Sequence, residues 1–458
     1  MKRSALTAVL FLMPYFLFAQ YQYVTPAEEE VRRSVAEWQD LKFGMFIHWG
    51  AYSQWGVVES WSICPEDYDW QWGPRKGMPY FDYVQKYEHL KDTFNPVNFD
   101  PDKWAAAAEY AGMKYVVFTT KHHDGFCMFD TKQTDYKVTD EGCAFHSDPR
   151  ANIAKTLFDA YRAHGLKAGA YFSIPDWHCD DYWWKLYPPF DRFMNYDLGR
   201  YPEKWARYQD YIAAQMGELT SGEYGEISLM WFDMPISDSE YEYPYDWKRF
   251  ASVVRASNPG MIMVARGKAN EYENYSTPEQ KIPEKALPYP WESCITMTNG
   301  WSYRFEPVYK SLHEMLSMLV KIVSRGGNLL LNVGPAPDGT LDEEAYDRLR
   351  GIGDWMKVNS EGIYGTTAVE PYQKDNVYFT SKDGYVYAFY LPEEGGVLPE
   401  KVNIGDFVPA SARGVSLLGS GKPLRWTKTS EGVVVTVPES LRRNLPCGDI
   451  WCFKIKMK

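Results

Sequence analysis

Between about residue 40 and residue 360 the chain alternates short apolar runs with stretches of helical periodicity, and this pattern restricts the fold more than any other feature. The runs are 43–49, 115–120, 167–173, 227–232, 261–265, 294–297 and 328–333. Most are apolar at nearly every position, as a strand covered on both faces must be, so they predict a parallel sheet with helices packed over it. The number of strand-helix repeats suits a (β/α)8-like, TIM-type barrel, whose active site is built at the C-terminal ends of the strands. An open doubly wound sheet is the alternative, but no glycine-rich phosphate loop follows the first run. Punctuation supports the helices: Asp100 can cap, Pro101 suits the first helical position, and Gly112 can end that helix. Apolar spacing over 306–324, stopped by Gly326-Gly327, predicts another.

After about residue 361 strands follow one another without helices. Runs at 377–381 and 385–391 flank Lys382-Asp383-Gly384, a hairpin signal, and further strands are expected at 415–418, 433–437 and 451–455. This predicts an antiparallel β-sandwich over 361–458, behind a catalytic barrel over 20–360. The first nineteen residues begin Met1-Lys2-Arg3, continue with an apolar stretch interrupted by Thr7 and Pro14, and end in Ala19. They predict a signal peptide over 1–19 and an exported protein, periplasmic or secreted, beginning at Gln20. No later run reaches the roughly 18 apolar residues of a membrane-spanning helix.

A net charge of −12 argues against a phosphate-binding surface, so nucleic acid is not an expected partner. Aromatic residues make up 17% of the chain, with 18 Trp and 35 Tyr, and rings with polar edges stack well on sugars, which points to carbohydrate. The seven cysteines include no CxxC pair. Cys447 and Cys452 are close enough for a local bridge; the alternative is buried thiols.

Polar residues at barrel strand ends are the candidates for chemistry. The first run ends in His48-Trp49-Gly50, the second in Lys121-His122-His123-Asp124-Gly125-Phe126, and the fourth delivers Asp233 after Trp231-Phe232. The three histidines could bind zinc, but no HxH pair or third spaced ligand accompanies them, so neutral imidazoles bonding to sugar hydroxyls are expected and no metal or other cofactor. A carboxylate ending a buried strand needs a partner or a task. Glycoside hydrolysis uses two carboxyl groups about 5–5.5 Å apart when configuration is retained. The partner of Asp233 is sought between Arg266 and Trp301, which holds Glu279 in Thr277-Pro278-Glu279 and Glu292 in Trp291-Glu292-Ser293-Cys294.

Together with Tyr171-Phe172-Ser173 leading to Asp176-Trp177, these motifs occur in an order that resembles the α-L-fucosidases of glycoside hydrolase family 29 over nearly the whole mature chain. The resemblance implies a barrel followed by a β-sandwich, a retaining double displacement, and a fucosylated oligosaccharide or glycan as substrate. Residue by residue, it implies Asp233 as nucleophile, and His48, His122, His123, Tyr171, Trp231 and Arg266 around the fucose, with Trp301 facing its methyl group. Phe126 is expected to complete an apolar wall with the two tryptophans. The family's adjacent Glu-Trp is here Glu59-Ser60-Trp61, so either Glu59 or Trp61 can be the sugar contact. Glu279 is the first choice for acid/base, presented by a mobile loop, and Glu292 the alternative. Three other readings stand beside this one: a fucose-binding protein without catalysis, a barrel glycosidase for a related sugar such as galactose, and a metallohydrolase using the histidines.

Overall fold

The computed structural model describes residues 23–66, 77–233, 244–266 and 270–458. The expected signal peptide lies outside them. Seven parallel strands curl into one sheet: β1 (Phe43–Ile47), β2 (Tyr115–Lys121), β3 (Lys167–Ser173), β4 (Ile227–Asp233), β5 (Ile262–Val264), β6 (Glu292–Thr296) and β7 (Asn328–Val333). Their order is β5-β4-β3-β2-β1-β7-β6, with β1 paired to both β2 and β7. All seven apolar runs are strands, because each is buried along nearly its whole length between the barrel interior and the surrounding helices.

An irregular stave fills the gap between β5 and β6. Asn274 clips it to β5: its backbone N–H donates to Met263 O (2.9 Å), and its side-chain Oδ1 accepts from the Met263 N–H (2.8 Å). On the other side, parallel bridges join Ser276 to Trp291 and Glu279 to Cys294. Gln280 N–H donates to Cys294 O (3.0 Å). Glu279 therefore sits on a hydrogen-bonded eighth stave rather than on the mobile loop expected from sequence. The Asn274 side chain thus supplies an acceptor in the ladder to β5 where a backbone carbonyl would ordinarily stand.

The barrel is closed at its N-terminal end by helix α1 (Glu29–Leu41), whose Val31, Val35 and Trp38 pack with the interior side chains Tyr115, Tyr275 and Leu229. Trp38 stacks on Tyr275 with ring centroids 3.9 Å apart. The expected cap is present, with Asp100 accepting from Lys103 N–H (3.0 Å) and Gly112 at φ 86° beyond the end of that helix. The helix expected over 306–324 instead spans Leu312–Ser324. A Ser311/Glu314 capping box fixes its start, and Lys310 N–H is drawn away to Met297 O (2.9 Å).

Beyond the barrel, β8 (Thr367–Lys374), β9 (Val377–Lys382), β10 (Tyr385–Tyr390), β12 (Val415–Leu417) and β15 (Trp451–Lys456) form one antiparallel sheet. A three-stranded sheet of β11 (Lys401–Asn403), β13 (Arg425–Thr429) and β14 (Gly432–Thr436) packs with it over Phe379, Val386, Val435 and Phe453. Asp383 and Gly384 make the β9-β10 hairpin with φ of 51° and 78°, as a two-residue primed turn requires. All seven cysteines are free thiols, so the local Cys447–Cys452 bridge is not formed. Among the described residues no helix is long and apolar enough to cross a membrane.

Candidate active site

Strand alternation decides which side chains enter the barrel. In β1 Phe46 points inward, and His48 follows it on the same side. In β3 and β4 the inward pair is Tyr171 and Trp231, opposite each other in register, with Asp233 two residues further on. These residues converge at the C-terminal mouth. Tyr171 stacks on Trp231 (5.5 Å, 20°) and on His122 (5.6 Å, 1°), and Trp301 lies 5.0 Å from the His48 ring.

Asp233 is the electrostatic focus. The Tyr171 hydroxyl donates to its Oδ2 (2.7 Å), Arg266 Nη1 donates to Oδ1, and His123 Nε2 lies 3.6 Å from Oδ2. Burial by itself would raise this carboxyl, but the Arg266 guanidinium, His123 and the Tyr171 hydrogen bond outweigh it and hold Asp233 well below the usual carboxylate range. The other terminal nitrogen of Arg266 binds Glu279 Oε2, so one guanidinium joins both carboxylates. Arg266 lies 4.9 Å above the Trp231 ring and has φ of 35°. Such left-handed backbone at a bulky residue costs about 1–3 kcal/mol and persists where surrounding contacts over-determine it.

The histidines are neutral at pH 7. Burial lowers His48 and His123 to about 4, and His122 falls well below its ordinary value for the same reason. The tautomer of His48 follows from its neighbours. Asn332 Nδ2 donates to Trp301 O (2.6 Å), so Asn332 Oδ1 must accept the His48 Nδ1–H (2.6 Å), leaving Nε2 as an acceptor. His122 Nδ1 bonds to Ser60 Oγ. His122, His123 and Asp233 offer ligand atoms within 4.8 Å of one another. A guanidinium already bound to Asp233 would repel a divalent cation there, so the donor set fits hydrogen bonding to a polar ligand better than metal binding.

The short 3-10 helix Glu59–Ile63 gives Glu59 and Trp61 different surroundings. Glu59 is buried and accepts from Ser302 N–H (2.8 Å), which anchors the turn carrying Trp301, and burial pushes its carboxyl up to about 7. Trp61 packs edge-on against His123 (5.1 Å) and Trp177 (5.3 Å). Two expectations need correction. Phe126 leaves the site: it packs in the outer core against Phe94 (5.7 Å) and Tyr136 (5.3 Å), because the turn at Gly125 carries it away from the mouth. The third apolar ring is Phe46, 5.1 Å from Trp231 and 6.0 Å from Trp301. Glu292 opens β6, at the N-terminal end of the strand, wholly buried beneath Trp231, whose indole N–H donates to it (3.4 Å). That depth separates it from the mouth where a leaving group must exit.

Sequence reasoning passed over Ser60, Asn332 and the support behind β2. There Lys121, wholly buried, donates to Asp176 Oδ2 (3.0 Å) and Gln215 Oε1 (3.0 Å). Asp176 Oδ1 accepts from His178 and Cys179 N–H, and Trp177 N–H donates to His123 O (2.7 Å), so this pair ties the β2 and β3 loops together. Removing one partner of a buried pair leaves an uncompensated charge. Lys121→Met should therefore destabilise the protein by about 3–5 kcal/mol, read as a lower thermal midpoint. The Lys121→Met/Asp176→Leu double variant should recover part of that loss.

Comparison with known proteins places this geometry. Residues 15–361 match the family model described as Alpha-L-fucosidase, and residues 370–456 match Alpha-L-fucosidase C-terminal domain. The plasma alpha-L-fucosidase of Rattus norvegicus is 30% identical over 97% of each chain. Alpha-L-fucosidase isoenzyme 1 from Paenibacillus thiaminolyticus superposes with a TM-score of 0.77 at 30% identity, covering 94% of this chain and all of that one. The Thermotoga maritima alpha-fucosidase in complex with fucose gives a TM-score of 0.72 at 27% identity, covering 95% of this chain and 100% of its own.

Proposed function

Because the chain belongs to glycoside hydrolase family 29, the α-L-fucosidases, we infer that it removes terminal α-L-fucose from glycans or oligosaccharides, one sugar at a time, with retention of configuration. The α-L-fucosidase activity itself comes with family membership; the stereochemistry, the exo action and the residue roles are the inference. The observation that carries them is the Asp233 carboxylate, held ionised between Arg266 and Tyr171, with Glu279 on the same guanidinium. Two carboxylates within one guanidinium's reach fit the closer spacing of retaining enzymes, about 5–5.5 Å, better than the roughly 6.5–9.5 Å that leaves room for a water.

In the first step an Asp233 oxygen bonds to C1 as the glycosidic C1–O bond breaks, and Glu279 gives its proton to the departing oxygen. In the second, Glu279 takes a proton from water, the water oxygen bonds to C1, and the ester to Asp233 is released. His48, His122 and His123, neutral and able to accept or donate, would bind sugar hydroxyls. Trp231, Trp301 and Phe46 would face the C6 methyl group. A methyl contact discriminates by only about 1–3 kcal/mol, so the hydroxyl bonds carry most of the selectivity.

Rates on nitrophenyl α-L-fucoside and on the matching galactoside, followed by a panel of α-1,2, α-1,3, α-1,4 and α-1,6 fucosylated oligosaccharides, test this reading. Release of fucose and not galactose supports it. Tight fucose binding without release from any donor would instead make the chain a binding protein. The basic, apolar and small-residue pattern of residues 1–19 further supports export to the periplasm or the exterior, with a mature N-terminus at Gln20 that N-terminal sequencing would detect.

A further inference from the structure

Glu292 is a buried carboxylate without a task in the reaction above. Its two oxygens receive three donors from three separate walls of the barrel: the Tyr115 hydroxyl of β2 on Oε2, and the Tyr275 hydroxyl of the irregular stave (3.1 Å) and the Trp231 indole N–H of β4 (3.4 Å) on Oε1. Among the described residues no cation pairs with it. Burial pushes the Glu292 carboxyl up to about 7, against the pull of its three donors. A group this costly to bury is expected to hold something in place.

What it holds is Trp231. The indole N–H can only donate, and among the described residues its one polar partner is Glu292, so this bond fixes the edge of the ring and hence its plane. On that plane rest the Arg266 guanidinium, at 4.9 Å, and the Tyr171 ring, stacked at 5.5 Å. Among the described residues, these two groups donate to Asp233. We propose that Glu292 is a positioning residue for the nucleophile: it fixes the plane of Trp231, and Trp231 shelves Arg266 and Tyr171 where they hold Asp233. The proposal rests on the reading of Asp233 as nucleophile.

Glu292→Met keeps the length of the side chain but removes both acceptor oxygens, so the Trp231 N–H and both tyrosine hydroxyls lose their shared partner. On the full-length enzyme, kcat/KM should fall about tenfold to 10²-fold, the scale of a small misplacement of a reacting group. The loss should be equal for aryl fucosides with good and poor leaving groups, because the nucleophile and not the acid is disturbed. The acid limb of kcat/KM should also move to higher pH. Asp233 is held well below its ordinary value by Arg266, His123 and Tyr171, so loosening that grip raises it, and activity is lost earlier as pH falls. Among the described residues, the other titratable groups facing Asp233 are His48 beyond β1, His122 beyond β2, Glu279 through Arg266, and Cys294 of β6, whose thiol burial keeps neutral. None of these has a hydrogen bond to Glu292.

Wild-type rates and an unmoved acid limb in Glu292→Met would overturn the proposal while leaving the fucosidase reading intact. A first step slowed only for poor leaving groups, with azide speeding turnover of the good ones, would overturn it too, by making Glu292 the acid/base. A wild-type enzyme that releases no fucose would overturn the functional reading instead. Should Glu292→Met fail to fold, Trp231→Phe leaves a smaller ring in place and removes the N–H tether. It should give the same upward shift of the limb, and an unshifted limb there refutes the proposal.

Discussion

Replacing Asp233 by alanine should lower kcat by about 10⁴-fold or more, since the covalent step loses the atom that makes the bond. The protein should still fold. Arg266, which loses Asp233, keeps Glu279 as a counter-charge, so no buried cation is stranded. The vacated space lies between Arg266 and the Tyr171 hydroxyl, where a small anion is electrostatically welcome. Azide should therefore restore part of the rate, and because it attacks from the nucleophile's side it should yield the β-fucosyl azide. Rate measurements with and without azide, with product configuration read by NMR, check both parts. Full activity in Asp233→Ala would remove the mechanism.

Glu279→Ala should show a different signature. With its general acid gone, hydrolysis of substrates with poor leaving groups should slow by about 10²–10⁴-fold. Aryl fucosides whose leaving groups need no protonation should form the glycosyl-enzyme at near wild-type rates. Water is then no longer deprotonated by a base, so the intermediate should accumulate. Azide, which needs no base, should discharge it to the α-fucosyl azide, the opposite anomer to that from Asp233→Ala. The variant is also stable for a structural reason: Glu279 is exposed at the end of its stave, and the bridges through Gln280 and Ser276 do not involve its side chain. A pre-steady-state burst followed by azide titration would measure this. A change confined to KM would contradict it.

The seven regular strands were legible because burial on both faces leaves a continuous apolar imprint, and their ends pointed directly to His48, His122, His123 and Asp233. The eighth stave was not legible. Tyr275-Ser276-Thr277-Pro278-Glu279 has neither alternation nor an apolar run, and it is held by the Asn274 side chain and two isolated bridges, which leave no periodic signal. The direction of a side chain beyond a strand end was equally hidden. Phe126 follows a turn at Gly125, so the alternation that correctly sends Phe46 inward says nothing about it. Glu292 was credible as an acid only until its height was known: sequence begins that strand at 294, and only the register with Asn328 puts Glu292 at its buried start. The partners that orient the histidines are remote in the chain, Ser60 at 62 residues from His122 and Asn332 at 284 from His48, beyond any local pattern.

The account stands on a bond between the Asp233 carboxylate and C1 of the sugar. Incubation with 2-deoxy-2-fluoro-fucosyl fluoride, which slows the second step more than it does the first, followed by proteolysis and mass spectrometry of the labelled peptide, looks for that bond itself. The account predicts one fluorofucosyl group per chain, on the peptide containing Asp233 and localised to that residue by fragmentation. A label on any other side chain, or complete turnover with no label because the product is released with inverted configuration, would contradict it.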